Sequence, residues 1–143
     1  MIASPIDDDA PTRTAIDAAR AVMAAHLAAL NARDEEALAA TLHFPHYRLS
    51  GNDMRIWDGP KTYFEDFRAR AEPDWQKSRW DRLDVLQASP DKVHLDVAFT
   101  RLGPPDSQGA IRDGSPLASY RSLWVITRID GRWAAQLRSS FAP

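Results

Sequence analysis

The sequence contains no cysteine. That absence excludes disulfides, thiolate zinc sites, iron–sulfur clusters and cysteine nucleophiles, and it leaves any chemistry to imidazole, carboxylate, phenol, hydroxyl and amine groups. An excess of either charge is also missing. The 18 basic and 20 acidic side chains give a formal net charge of −2, which offers no electrostatic attraction to nucleic acid or an anionic membrane and favours an uncharged or weakly charged ligand. No apolar run is long enough to cross a bilayer, because the Ala-rich stretch 15–32 is broken by Asp17, Arg20 and His26. The first residues lack the basic and apolar regions of a secretory signal, so the cytoplasm is the expected compartment. Glycine-rich phosphate loops, a serine nucleophile elbow and the common zinc spacings are missing as well, and the expectation is a protein without metal or cofactor.

What is present is one ordinary globular domain: 143 residues, 44% hydrophobic and 27% charged. Residues 1–11, with two prolines and three consecutive aspartates, read as a flexible lead-in to a single domain over 12–143. Thr14 followed by Asp17 fits a capping box, and Ile16, Ala19, Met23, Leu27 and Leu30 then form one stripe of a helix ending near Asn31. Asp34 suits the cap of a short second helix that buries Leu38 and Leu42 and stops before Pro45. The period then changes to that of two short strands, 46–50 and 54–57, around the Gly51-Asn52-Asp53 turn. Asp58-Gly59-Pro60 opens a third helix running to about Ala71, with Tyr63, Phe64, Phe67 and Ala71 on its buried face.

Four longer strands follow, at 80–89, 93–102, 118–129 and 132–141, with an exposed loop over 103–116. Asp130-Gly131 is a strong hairpin signal. Pairing Ile129 with Arg132 then sets Trp124 opposite Leu137, Ile126 opposite Ala135 and Tyr120 opposite Phe141 on one face. Leu123 opposite Arg138, Val125 opposite Gln136 and Thr127 opposite Ala134 fall on the other. Both faces are too apolar for solvent, so helices should cover one and a second copy of the chain the other.

The element order, together with the stretch Leu27 to Leu38 (LAALNARDEEAL), Trp57-Asp58-Gly59-Pro60 and the closing hairpin Trp124 to Trp133, resembles the nuclear-transport-factor-2-like superfamily in its SnoaL-like branch, over about residues 12–141. The resemblance implies an α+β fold: a cone-shaped, curved antiparallel sheet, the cystatin-like cone or α+β barrel, wrapped by three helices from the N-terminal half. It further implies a hydrophobic pocket at the wide end and a homodimer through the outer sheet face. The function so implied is binding of a small hydrophobic or aromatic molecule, with catalysis, where present, by proton transfer in a cofactor-free isomerase, dehydratase or cyclase. The alternative is a non-catalytic dimeric accessory or protein-interaction module on the same fold.

Candidate residues follow from that frame. His26 stands where ketosteroid-isomerase-like members place a tyrosine that donates into the cavity, and an imidazole can donate or accept near neutral pH. The aspartate base of those isomerases aligns at or next to Ser50, and residues 43–52 hold no carboxylate, so that design of enolisation is not expected. His43 and His46, three residues apart at the start of the first strand, are the further candidates for proton transfer. Tyr47, Trp57, Tyr63, Phe67, Trp80 and Trp124 could line a pocket for a flat ligand, and Arg101, Arg121 and Arg138 could hold an acidic one. His94 and Asp96 share the strand face opposite the apolar set, which points them away from the pocket. Most of these residues have an ordinary structural alternative: core packing for the aromatics, backbone hydrogen bonds for the histidines, and ion pairs for the arginines.

Overall fold

A computed structural model describes residues 8–104 and 116–142. Expectations for residues 1–7 and for most of the 103–116 loop therefore lie outside the described residues.

The chain runs α1 (Ala10–Ala32), α2 (Glu35–Ala39), β1 (Leu42–Ser50), β2 (Asp53–Trp57), α3 (Pro60–Arg70), β3 (Lys77–Ser89), β4 (Lys92–Leu102), β5 (Pro116–Ile129) and β6 (Arg132–Ser140). The first helix begins about one turn earlier than the Thr14 signal suggests. The Asp9 carboxylate accepts from Thr12 N at 2.7 Å, and Pro11 sits in the first turn where its missing N–H costs nothing. The buried stripe of α1 is also rotated from the expected one. Ala15, Ala19, Val22, Met23, His26 and Ala29 are buried, whereas Ile16, Leu27 and Leu30 are half-buried. Small alanines let the helix lie close to the sheet, and the rotation carries His26 from the edge of the stripe to its centre.

At the end of α1, Arg33 takes the left-handed conformation (φ 55°) and its N–H caps Ala29 O and Leu30 O. Its guanidinium is held 3.8 Å over the Trp75 ring. Asp34 then caps α2 by accepting from Ala37 N at 3.0 Å. Asn31 fastens the helix to the sheet: its amide donates to Ser78 O and accepts from Ser78 N, both at 2.8 Å, as a neighbouring strand would.

The six strands form one curved, unclosed sheet in the order β2-β1-β6-β5-β4-β3. All neighbours are antiparallel except β1 and β6, which are parallel, so the sheet is mixed and not wholly antiparallel. β1 and β6 are separated by nearly the whole domain, so no hairpin dictates their sense. Pro45 belongs to β1, not to the end of α2, and it falls in the break of the β1–β6 ladder between Leu42 and Tyr47, where its missing N–H is tolerated.

The β5–β6 hairpin turns on Asp130 (φ 53°) and Gly131 (φ 76°), as the Asp-Gly pair demands. Ile129 pairs with Arg132, Thr127 with Ala134 and Ile126 with Ala135. A bulge then intervenes. Val125 pairs with Leu137 and Trp124 with Arg138, leaving Gln136 as the extra residue, its amide oxygen accepting from Thr127 Oγ1 at 3.1 Å. The expected pairs Trp124–Leu137 and Leu123–Arg138 are therefore replaced. A slip of one residue changes face: Leu137 turns outward and Arg138 turns in. The pair of Tyr120 with Phe141 is lost too, since the β5–β6 ladder ends with Ser122 opposite Ser140 and Phe141 is 81% exposed.

Helices α1 and α3 cover the inner face. Its rows are Trp57 and His46; then Arg55, Arg48, Arg138, Trp124, Leu95 and Val85; then Asp53, Ser50, Ser140, Ser122, Val97 and Leu83. On the outer face Ile56, Tyr47, Leu137 and Val125 form one row and Met54, Leu49, Ser139 and Leu123 the next.

Candidate functional site

Inside the cone, between the sheet and α1 and α3, lies a cavity of about 130 Å³. Leu30, Phe67, Trp75, Trp80, Phe99 and Trp124 supply its apolar walls. Polar groups converge on the same space: His26, Tyr63, Ser78, Ser122 and Ser140, four arginines (48, 70, 101 and 138), and one carboxylate, Glu72.

His26 projects from the middle of the buried face of α1, 1% exposed, between two tryptophans. Trp80 stacks on it at 6.3 Å, and Trp124 meets it edge-on at 5.0 Å. Trp80 is itself fixed by donating from Nε1 to Met23 O at 2.9 Å. The Thr41 hydroxyl donates to Leu38 O at 2.7 Å, so toward His26 Nδ1, 2.8 Å away, it can only accept. That places the imidazole proton on Nδ1 and leaves Nε2 with the free lone pair. Burial, then repulsion from Arg138 and His46, holds the His26 proton affinity well below its usual range, so the ring is neutral.

His46 and His43 sit elsewhere. His46 is fully buried, donates from Nδ1 to Ala135 O at 3.1 Å and packs between Trp57 and Tyr63, outside the cavity lining. Its Nε2 has no partner, and burial followed by Arg138 pulls its pKa down to about 3. His43 donates from Nε2 to Thr127 O at 2.9 Å and accepts at Nδ1 from Arg132 at 3.2 Å, which ties the start of β1 to the closing hairpin and occupies both nitrogens. The three histidines are thus not gathered at one point.

Of the aromatic candidates, Tyr63, Phe67, Trp80 and Trp124 line the cavity. Trp57 packs beneath it at 5.0 Å from Tyr63, and Tyr47 belongs to the outer row. Arg138 and Arg101 line it, whereas Arg121 lies outside and pairs with Asp96. Asp96 also accepts from Arg82 at 3.0 Å, which makes the His94 and Asp96 face a surface ion-pair cluster.

Arg48, Arg70, Glu72, Trp75 and the serines were not among the sequence candidates. Arg48 follows Tyr47 in a strand whose alternation is blurred by Pro45. Arg70 ends a helix where a basic residue needs no further reason. Arg55 and Arg70 flank Asp66, whose oxygens lie 3.1 and 3.0 Å from Arg55 Nη1, while Trp57 Nε1 donates to one of them at 3.1 Å. Arg70 Nε is 3.5 Å from the same carboxylate. Glu72 pairs with Arg101 at 2.7 Å. Among the described residues no three His, Asp or Glu side chains come together as a metal site would require.

No family model matches the sequence, and no curated protein matches it. Solved structures do. An NTF-2 like protein of unknown function from Shewanella oneidensis MR-1 superposes with a TM-score of 0.68 at 11% identity, covering 88% of this chain and 98% of that one. The chain has the NTF2-like cone fold. A hexachlorocyclohexane dehydrochlorinase, LinA-type3 from Novosphingobium barchaimii LL02, shares this NTF2-like architecture at 21% identity and a TM-score of 0.67, over 90% of this chain and 86% of its own. A ketosteroid isomerase-like protein from Erwinia carotovora atroseptica SCRI1043 does so at 20% identity and 0.63, over 89% and 96%. Identities of this size carry the NTF2-like fold, and the chemistry has to be argued from the residues in the cone.

Proposed function

We propose that this chain is a cytoplasmic, SnoaL-like protein that binds a small aromatic molecule in its cone and moves a proton on it through His26, in an isomerase- or lyase-type reaction without a cofactor. The observation that carries the reading is the neutral imidazole of His26, held by Thr41 so that its unshared Nε2 is the nitrogen left for the cavity between Trp80 and Trp124. Burial and Arg138 weaken this base in the free protein, and the negative charge that develops on a bound substrate as its α-proton moves to Nε2 offsets both. Arg138, whose guanidinium lies 4.9 Å over the Trp124 ring, supplies positive charge on the same side for the oxyanion that such a step creates. A dehydrochlorinase and a ketosteroid isomerase-like protein among the structural neighbours fit a cone used for this kind of chemistry.

The test is α-proton exchange in deuterated water, followed by NMR over a panel of aryl ketones and β-keto acids. Exchange with at least one compound, lost in His26→Phe while binding to the variant persists, is the expected result. Exchange that His26→Phe leaves unchanged removes the role of His26.

The second element of the proposal is a homodimer through the outer sheet face. Ile56 and Met54 are each 57% exposed and Leu123 37%, next to Tyr47, Leu49 and Leu137 in adjoining rows. Apolar rows running across four neighbouring strands are ordinarily covered, and a two-fold copy of the same surface covers itself.

A further inference from the structure

Three arginines stand side by side across three neighbouring strands of the inner face. Arg55 on β2 is the registered partner of Arg48 on β1, and Arg48 is that of Arg138 on β6. Registered residues point to the same side of a sheet, and like charges so placed repel. Each of the three calls for an acid, yet among them only Arg55 is supplied, by Asp66 and by Asp53. Among the described residues, no carboxylate forms an ion pair with Arg48 or with Arg138.

Arg48 is 6% exposed and lines the cavity, and its Nε has no hydrogen-bond partner. Arg138 donates from Nη2 to the Tyr63 hydroxyl at 3.0 Å and leaves its buried Nε unpartnered. Arg70, shared with Asp66, reaches the same space with Nη2 unpartnered. Burying a cation without its counter-charge is costly, and a protein that keeps such a cation ordinarily supplies the anion from elsewhere. Burial, followed by the repulsion of Arg138 and Arg70, draws the pKa of Arg48 down to about 9, the direction expected of a cation awaiting an anion.

The size and lining of the cavity narrow the class of that anion. A space of about 130 Å³ is close to that of an apolar cavity of about 150 Å³ that accommodates benzene, so the apolar part is one ring. Trp80, Phe99 and Trp124 offer it edges and faces. Two guanidinium forks presented from adjacent strands suit a planar, two-oxygen anion.

We propose that Arg48 and Arg138 bind the carboxylate of a single-ring aromatic acid whose ring lies among Trp80, Phe99 and Trp124. This deepens, and rests on, the reading of the cone as a small-molecule pocket. It also replaces the weakly charged ligand expected from the overall charge: net charge sums the whole surface, whereas the cavity collects four arginines against one glutamate.

The experiment is isothermal titration, with tryptophan fluorescence in parallel, of the full chain with benzoate, its neutral isostere benzamide, phenylphosphonate and inorganic phosphate. The same titrations are run on Arg48→Met and Arg138→Gln, with circular dichroism to confirm folding. The wild type should bind benzoate about tenfold or more tightly than benzamide, and each variant should lose most of that preference, with benzoate affinity falling by the larger factor. Equal binding of benzoate and benzamide by the wild type, or a preference that survives in a folded variant, overturns the carboxylate assignment while leaving the pocket standing. Tighter binding of phenylphosphonate or phosphate also overturns it, in favour of a phosphoryl site. If none of the aromatic compounds binds, the pocket reading fails and the assignment falls with it. Should Arg48→Met not fold, the preference measured on Arg138→Gln decides.

Discussion

The hydroxyl of Thr41 lies 2.8 Å from Nδ1 of His26 and 2.7 Å from the carbonyl of Leu38, so one side chain joins the candidate base on α1 to the end of α2. Replacing it by valine keeps the volume and removes the acceptor. Thr41→Val should destabilise the fold by about 1–3 kcal/mol, the cost of leaving a buried N–H unpaired. Long-range ¹⁵N correlation spectra should show a single Nδ1–H tautomer for His26 in the wild type and a tautomer mixture in the variant. A wild-type spectrum with the proton on Nε2 would contradict the geometry.

The buried histidines make stability depend on pH in a definite direction. His26 and His46 are both held below the ordinary value of 6.5, by burial first and by Arg138 next. The unfolded chain therefore takes up protons below that value and the folded chain does not, so stability is complete above it and falls as pH drops. Two such groups cost on the order of 3–4 kcal/mol by about pH 5. Urea denaturation between about pH 7 and pH 5 should show the loss, and His46→Phe should roughly halve its slope. A flat profile in the wild type would show that both rings protonate freely in the folded state.

Asp66 is the carboxylate that Arg55 and Arg70 share at the end of the arginine row. Burial raises its pKa, but hydrogen bonds from Arg55 and the charge of Arg70 outweigh that, and the net shift is downward. Its stabilising effect is present above the unfolded value of 3.8 and disappears as the pH falls through the lower folded value. Asp66→Asn keeps an acceptor for Trp57 Nε1 and removes the charge. It should cost about 1–2 kcal/mol near neutral pH, since the pair is partly solvated, and close to nothing near pH 2. Denaturation of wild type and variant at the two pH values measures the difference.

On the outer face, Leu123→Glu should convert a dimer into a folded monomer, because a charge opposed to its own symmetry mate cannot be desolvated there. Sedimentation velocity at micromolar concentration gives the mass directly. A wild-type monomer, or a variant that remains dimeric, would exclude this face as the interface.

The succession of elements was legible because the hydrophobic period switches cleanly: 3.6 through α1 and α3, two through β4 and β5, with Asp34, Pro60 and Asp130-Gly131 as punctuation. Half of the site was legible for the same reason. Trp80 and Trp124 sit on alternating strands, and His26 lies within a helical stripe. Arg101 and Arg138 were legible as candidates, although the face of Arg138 was not, because Gln136 shifts the register of β6. Arg48 and Arg70 were hidden by local events that periodicity does not carry: Pro45 interrupts the pairing of β1, and Arg70 reads as a basic residue closing a helix. The parallel pairing of β1 with β6 was equally invisible, since it joins segments about ninety residues apart.

The bulge at Gln136 sets the phase of everything that follows it in β6. With Gln136 looped out, Leu137 lies opposite Val125 and Arg138 opposite Trp124; taken up into the ladder, the same residue would bring Leu137 in beside Trp124 and send Arg138 to the outer face. Deleting Gln136 would therefore regularise the hairpin and leave Arg138 facing the cavity. The inward charge thus rests on whether one glutamine is counted in the strand or left out of it.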